Sequence, residues 1–340
     1  MSKKLWMTSA VLFLLLSCSK EILQRFPGFQ APADFPATAY HFDTNPVTQE
    51  GFELGRKLFY DPHLSRNNSI SCGSCHIQSS AFTQHGHDLS HGVDDRLGKR
   101  NSPPIMNLAW MPLFLWDGGV FDLDLQPVVP ITSHEEMDES VGNVIKKLQG
   151  IPAYPELFRK AFGSEEITTA NMMKALSQFM VMCVSDQSKY DSVRRNQATF
   201  TPEEQAGYSF FRQSCTGCHK EPLLTDFSFR NNGIRAGLNG DRGRSGITLN
   251  PDDDFRFKVP SLRNVAYTAP YMHDGRFITL DAVLDHYAAK VQEAPTLDPL
   301  LRSGTTLGIP MTDVQKTQVI AFLKTLSDPQ FIKNPILAEQ

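Results

Sequence analysis

The chain has 340 residues, a length that accommodates about two domains of ordinary size. Its formal net charge is −4 and no long run of like charge occurs, which argues against a nucleic-acid-binding protein. Hydrophobic residues make up 41% of the sequence, as in a globular protein, and the 22 prolines and 22 glycines predict many loops between short helices.

The N-terminus is predicted to be an export signal. Lys3 and Lys4 precede an apolar run, residues 5–16, that is too short to span a bilayer as a mature helix. Leu15-Leu16-Ser17-Cys18 resembles a bacterial lipobox, so we expect residues 1–17 to be a lipoprotein signal peptide and Cys18 to carry a lipid that anchors the protein to a membrane. The alternative is an ordinary cleaved signal with an incidental cysteine. The remaining residues of the segment 18–46, which contain several prolines, are predicted to be a tether.

Two copies of Cys-x-x-Cys-His carry the strongest chemical signal, Cys72-Gly73-Ser74-Cys75-His76 and Cys215-Thr216-Gly217-Cys218-His219. The pentapeptide is the attachment signature of c-type haem: the two thiols add to the haem vinyl groups, and the adjacent histidine becomes the proximal iron ligand. A zinc knuckle or a redox dithiol is the alternative, but two copies behind an export signal favour two covalent c-type haems. The one cysteine left over, Cys183, lies in a helical pattern and is predicted to be an inert core thiol.

The two motif regions form an internal repeat. Gly55-Arg56-Lys57-Leu58-Phe59 precedes the first motif and Gly207-Tyr208-Ser209-Phe210-Phe211 the second, and each half ends on a similar helix, residues 168–184 and 312–326. We therefore predict an all-α fold with few or no strands. Its two cytochrome c-like domains, each with one covalent haem, are expected at residues 47–197 and 198–332.

Further motifs resemble the bacterial dihaem cytochrome c peroxidases, whose scaffold the MauG-like enzymes share. They cover residues 47–328 in the family's order: Arg100-Asn101-Ser102-Pro103, Leu115-Trp116-Asp117-Gly118, Gln126, Pro130-Ile131, Glu136-Met137, Val259-Pro260-Ser261-Leu262-Arg263-Asn264-Val265 and Thr268-Ala269-Pro270-Tyr271-Met272-His273-Asp274-Gly275.

The resemblance implies that peroxide reacts at the first haem, with His76 as its proximal ligand. A loop histidine closes the opposite face of this haem in the classical enzymes; among His85, His87 and His91, the last lies nearest the family position. The alternative is that all three are solvated and the haem is open. Glu136, rather than Glu135, matches the family's catalytic acid–base residue, and Gln126 matches its distal-pocket amide.

The second haem, with His219 as proximal ligand, resembles the family's electron-entry centre. Its sixth ligand is a methionine in typical peroxidases, but the equivalent position here is Tyr287, as in MauG-like proteins. His286, Met272 and Met311 are the alternatives. The resemblance also implies that Trp116 relays electrons between the haems. It further implies an inter-haem calcium site at Asn101, Thr268 and Pro270.

These features together predict a periplasmic dihaem cytochrome c peroxidase. It reduces hydrogen peroxide to water with electrons from a small cytochrome c or copper protein. A MauG-like oxidase that modifies a partner protein is the first alternative, and a non-catalytic electron-transfer cytochrome is the second. The sequence leaves open whether the protein forms a homodimer.

Overall fold

The structure, a computed structural model, describes residues 26–234 and 240–340. They are mostly helical, and the helices are α1 Gln49–Tyr60, α2 Cys72–Cys75, α3 Val128–Thr132, α4 Val141–Gln149, α5 Ala153–Phe162, α6 Thr169–Val181, α7 Lys189–Arg194, α8 Pro202–Ser214, α9 Ser245–Thr248, α10 Leu280–Asp285 and α11 Asp313–Lys324. Two short antiparallel strand pairs join β1 Phe229–Arg230 to β2 Phe257–Lys258, and β3 Arg302–Ser303 to β4 Thr306–Leu307. The predicted helical class with few strands is confirmed. Within the described part of the chain, no helix is long and apolar enough to cross a membrane.

The predicted repeat is visible as two equivalent helix pairs. Helix α1 packs on α6, and α8 packs on α11. A Cβ atom added at Gly55 would lie 1.9 Å from the carbonyl oxygen of Ala175, and one added at Gly207 would lie 1.9 Å from that of Gln318. Glycine is thus required at the same point of both halves, because the crossing helices touch backbone to backbone there.

The predicted tether is wrong for residues 26–46, which pack on the N-terminal core. The rings of Phe29 and Phe35 lie 5.8 and 5.1 Å from the ring of Trp110, whose Nε1 donates to the carbonyl of Pro36 at 2.9 Å. Tyr40 is buried in the same core. Aromatic side chains, which bury a large apolar area, outweigh the prolines that suggested a tether. The predicted signal peptide and Cys18 lie outside the described residues.

Packing does not follow a single division at residue 197. Tyr190 of α7 belongs to the apolar cluster of the second half, whereas Phe331 and Leu337 near the C-terminus return to the cluster of the first half. The hydroxyl of Tyr60 donates to the carbonyl of Leu337 at 2.9 Å. The boundaries predicted at residues 197 and 332 therefore do not separate the two apolar clusters. Helix α7 packs with the second half, and the residues near the C-terminus pack with the first half.

A buried ion pair fixes α7 to the second half. The guanidinium of Arg263 donates to both carboxylate oxygens of Asp191, at 2.8 and 2.9 Å, and both side chains are 0% exposed. Arg263 also donates to the carbonyls of Pro222 and Ser185, so its remaining donors are satisfied.

Cys183 is also fully buried, in the first cluster, and burial raises the pKa of its thiol. A buried neutral thiol is unreactive, which agrees with the predicted core role.

Candidate functional site

The two Cys-x-x-Cys-His motifs present their histidines in the same way. Nδ1 of His76 lies 2.8 Å from the carbonyl oxygen of Phe82, and Nδ1 of His219 lies 3.1 Å from that of Leu224. A carbonyl only accepts, so each Nδ1 carries the proton and each Nε2 keeps its lone pair. Burial lowers the pKa of both imidazoles, which keeps them neutral. A backbone carbonyl that orients the ring from behind is the usual support of a metal-ligating histidine.

The cysteines of both motifs are available for covalent attachment. Cys72, Cys75, Cys215 and Cys218 are all free thiols in the structure, and in each motif the second lies one helical turn beyond the first. The donor sets therefore fit two c-type haems, each held by two thioether links and an imidazole nitrogen.

The structure separates the two adjacent acids of the first half. Glu135 forms an ion pair with Lys99 at 2.7 Å on the surface. Glu136 is half-buried, and desolvation together with the negative charge of Glu135 raises the pKa of its carboxyl group. Burial raises the pKa of the Cys72 and Cys75 thiols, and the negative charge of Glu136 adds to the rise, so this carboxyl group belongs to the surroundings of the first motif.

Gln126 follows a one-turn 3₁₀-helix, Leu123–Leu125, that residues of the predicted tether hold in place. The hydroxyl of Tyr40 donates to Oδ1 of Asp124 at 2.8 Å, and the buried amide of Asn45 donates to the hydroxyl of Tyr40 at 2.6 Å. Sequence inspection missed Tyr40 and Asn45, since neither belongs to a motif.

The loop of candidate iron-ligating histidines runs beside Glu136. A Cβ atom at Gly92 would lie 2.4 Å from the carbonyl oxygen of Glu136, and the same oxygen accepts from the amide of Val93 at 2.8 Å. His91, one residue earlier, is 39% exposed, and its Nδ1 lies 2.5 Å from Oδ1 of Asp95. His85 and His87 are exposed.

Trp116 lies where the two halves meet. Its indole Nε1 donates to the carbonyl of Asn101 at 2.8 Å, in the first half. Its own carbonyl accepts from the backbone amide of Lys258 in β2, at 2.7 Å, in the second half. The side chain is thus held by one half and the backbone by the other.

Asn101, whose side chain is predicted to bind calcium, is buried where the two halves meet. Its backbone amide donates to the carbonyl of His273 at 2.8 Å, and its Nδ2 donates to the carbonyl of Asp88 at 3.1 Å. The neighbouring segment carries Thr268 and Pro270. An amide oxygen and backbone carbonyl oxygens are ligands of the kind that calcium binds.

Tyr287 lies in a single π-helical turn, His286–Lys290, that follows α10. Burial raises the pKa of its hydroxyl to about 12, and the nearby thiols of Cys218 and Cys215 add to the rise.

Asn232, which sequence inspection missed, joins three of the candidate ligands of the second haem. Nε2 of His286 donates to the Asn232 carbonyl at 2.9 Å, so this nitrogen has no lone pair for a metal. The Asn232 amide lies 3.5 Å from both the Tyr287 hydroxyl and the sulfur of Met272. Met311 packs on the second apolar cluster.

Comparison with known proteins gives concordant results. A family model described as di-haem cytochrome c peroxidase matches residues 49–199. Methylamine utilization protein MauG of Methylorubrum extorquens is 34% identical over 89% of this chain and 85% of that protein. Cytochrome c551 peroxidase of Nitrosomonas europaea is 33% identical over 86% of this chain and 84% of that protein.

A solved structure agrees with these sequence relatives. A MauG-like protein associated with microbial copper homeostasis is 33% identical and superposes with a TM-score of 0.82, covering 91% of this chain and 98% of that one. The two attachment motifs and relatives of both kinds, 33–34% identical over 86–89% of this chain, lead to one conclusion: the chain is a peroxidase-class enzyme that belongs to the di-haem cytochrome c peroxidase and MauG family.

Proposed function

We propose that this protein is a periplasmic peroxidase that reduces hydrogen peroxide to water with electrons from a small cytochrome c or copper protein. The observation that carries the proposal is the half-buried carboxyl group of Glu136, which lies close enough to Cys72 and Cys75 to raise the pKa of their thiols, whereas Glu135 pairs with Lys99. When bound at the first motif, the haem supplies the iron at which the O–O bond is cleaved. An electron carrier without catalysis has no use for such an acid.

The protein's contribution at the first site is ligation and proton transfer. His76 presents Nε2 as the proximal ligand because Phe82 holds its Nδ1. Reduction of peroxide consumes two protons and two electrons and yields two water molecules. Glu136 takes the proton from the inner oxygen and returns it to the outer, leaving oxygen. Gln126 donates its amide to the same substrate.

Electrons enter through the second half, at His219 and Tyr287. Trp116 provides the route to the first half, because it is bonded to both halves through Asn101 and Lys258. Asn101, Thr268 and Pro270 would hold a calcium ion at this junction, with oxygen atoms as ligands. The lipid on Cys18 anchors the enzyme at a membrane surface.

The second candidate function is MauG-like oxidation of a partner protein, which Tyr287 favours. The two activities differ in what is oxidised, a small electron carrier or a side chain of a partner protein, and ligand type alone does not choose between them.

Steady-state turnover tests the proposal. The haem-loaded protein is mixed with hydrogen peroxide and a reduced small cytochrome c, and oxidation of the cytochrome is followed by absorbance. We expect catalytic turnover with two cytochromes oxidised per peroxide. Peroxide consumption that occurs only with an oxidisable partner protein, and not with reduced cytochrome c or copper protein, contradicts the proposal and supports the MauG-like function.

We expect His91→Ala to convert the resting first haem from six- to five-coordinate. Asp95 holds Nδ1 of His91, which leaves Nε2 for the iron, and the His91 loop lies against the Glu136 turn. Electron paramagnetic resonance of the ferric protein should show a high-spin signal in the variant, whereas the wild type shows it only after half-reduction. His85→Ala is the matched control, because His85 is an exposed histidine of the same loop. A high-spin signal in the resting wild type excludes His91 as a ligand.

We expect Tyr287→Phe to change the absorption spectrum of the second haem and to raise its midpoint potential. An anionic oxygen ligand stabilises ferric iron, and phenylalanine removes it. Spectropotentiometry measures both effects, with the first haem as internal reference. An unchanged spectrum, together with the far-red band of methionine-ligated ferric haem in the wild type, rules out tyrosine ligation.

A further inference from the structure

Asn232 occupies a rigid position at the end of β1. The preceding residue, Asn231, is 1% exposed; its amide donates to the hydroxyl of Thr296 at 2.9 Å and its side-chain oxygen accepts from the amide of Gly233 at 2.8 Å. Gly233 has φ +73°, and a Cβ atom there would lie 2.5 Å from the side chain of Val291. Both neighbours of Asn232 are therefore fixed, and its own side chain has a defined direction.

The Asn232 amide contacts the two side chains that compete for the second haem. Its Nδ2 lies 3.5 Å from the hydroxyl oxygen of Tyr287 and 3.5 Å from the sulfur of Met272. An amide has two N–H groups, so one can point to each atom at the same time. The oxygen and the sulfur, which are both competent iron donors, thus lie within two hydrogen-bond lengths of each other.

The backbone keeps both competitors in place. Met272 has φ +73°, an unusual conformation for a residue other than glycine, which persists only where the surroundings enforce it. On the other side, the Asn232 carbonyl accepts from His286, the neighbour of Tyr287 in the π-helical turn. The turn that carries Tyr287 is therefore tied to the backbone of Asn232.

We propose that Asn232 is the positioning residue that selects Tyr287 over Met272 as the axial ligand of the second haem. One N–H group orients the phenol oxygen, and the other engages the thioether sulfur, which is then not free to bind iron. This inference rests on the proposed assignment of Tyr287 as a ligand. Outer contacts of this kind commonly set the orientation and the donor strength of a ligand.

The test uses the haem-loaded protein and five variants. Asn232→Leu keeps the branched shape and the number of side-chain heavy atoms and removes both N–H groups. We expect a far-red methionine-to-iron charge-transfer band to appear, with a higher midpoint potential for the second haem and an unchanged potential for the first. In the exchange, the iron–oxygen bond breaks, the phenolate takes a proton from water, and an iron–sulfur bond forms. The serine side chain of Asn232→Ser is too short to reach both the Tyr287 oxygen and the Met272 sulfur, so this variant should show the same band. It replaces Asn232→Leu in the test if the leucine variant does not accumulate.

The remaining variants assign the band. Met272→Leu alone should leave the wild-type spectrum unchanged, and Asn232→Leu/Met272→Leu should lose the far-red band. If Asn232→Leu and Asn232→Ser both match the wild type in spectrum and potential while Tyr287→Phe changes both, tyrosine ligation stands and the role of Asn232 is refuted. If the wild type already shows the far-red band, tyrosine ligation itself is refuted, and the role of Asn232 with it.

Discussion

Glu136→Gln is expected to keep both haems and their spectra while lowering peroxide turnover by about 10²–10⁴-fold, the usual contribution of a positioned acid–base group. Glutamine preserves the shape and the hydrogen-bonding capacity of the side chain but cannot take up and release a proton. The Glu136 carboxyl group is half-buried and lies close enough to the first motif for its charge to raise the pKa of the Cys72 and Cys75 thiols. Steady-state oxidation of reduced cytochrome c measures the loss.

Glu135→Gln is the matched control, because Glu135 is adjacent in sequence but paired with Lys99 at the surface. Its turnover should stay within about twofold of the wild type, since general acid–base effects require hydrogen-bond reach of the substrate. Turnover of Glu136→Gln within the same range would remove Glu136 from the mechanism.

The pH profile gives a second check on Glu136. Burial raises the pKa of its carboxyl group, and the residue must be ionised to accept a proton from peroxide. Turnover should therefore fall as the pH is lowered through a pKa above that of an exposed glutamate. Glu136→Gln should lose this acidic limb of the profile, whereas Glu135→Gln should retain it.

Arg263→Met is expected to lower the free energy of unfolding by about 3–5 kcal/mol, the cost typical of removing one partner from a buried ion pair. Asp191 would keep its charge in a site that is 0% exposed, and the carbonyls of Pro222 and Ser185 would lose a donor. Denaturant unfolding of the haem-loaded protein, followed by far-ultraviolet circular dichroism, measures the loss.

Arg159→Met is the control for the charge change itself. Arg159 pairs with Glu156 on the surface of α5, where both side chains are about half exposed, and exposed pairs contribute about 0–1 kcal/mol. Equal losses for the two variants would show that burial of the Arg263 pair has no energetic consequence. Arg263→Met/Asp191→Leu should regain part of the stability, because no unpaired charge remains buried.

The sequence by itself determined the features that depend on a few neighbouring residues. A Cys-x-x-Cys-His motif needs only its own helical turn to place two thiols and an imidazole, so both motifs were recognisable without a fold. The start of α8 is local in the same sense, since Thr201 and Glu204 form a capping box around Pro202. Repeated glycines at 55 and 207 indicated the two equivalent helix pairs.

Only the tertiary structure decided which side chains are buried and which distant segments meet. Glu135 and Glu136 are neighbours in one turn, yet Glu135 pairs with Lys99 while burial raises the pKa of Glu136. The prolines of residues 18–46 suggested a tether, but in the structure the rings of Phe29 and Phe35 pack against Trp110. Asn232 belongs to no motif, and 55 residues separate it from Tyr287. Such contacts depend on long-range packing, which residue spacing along the chain does not encode.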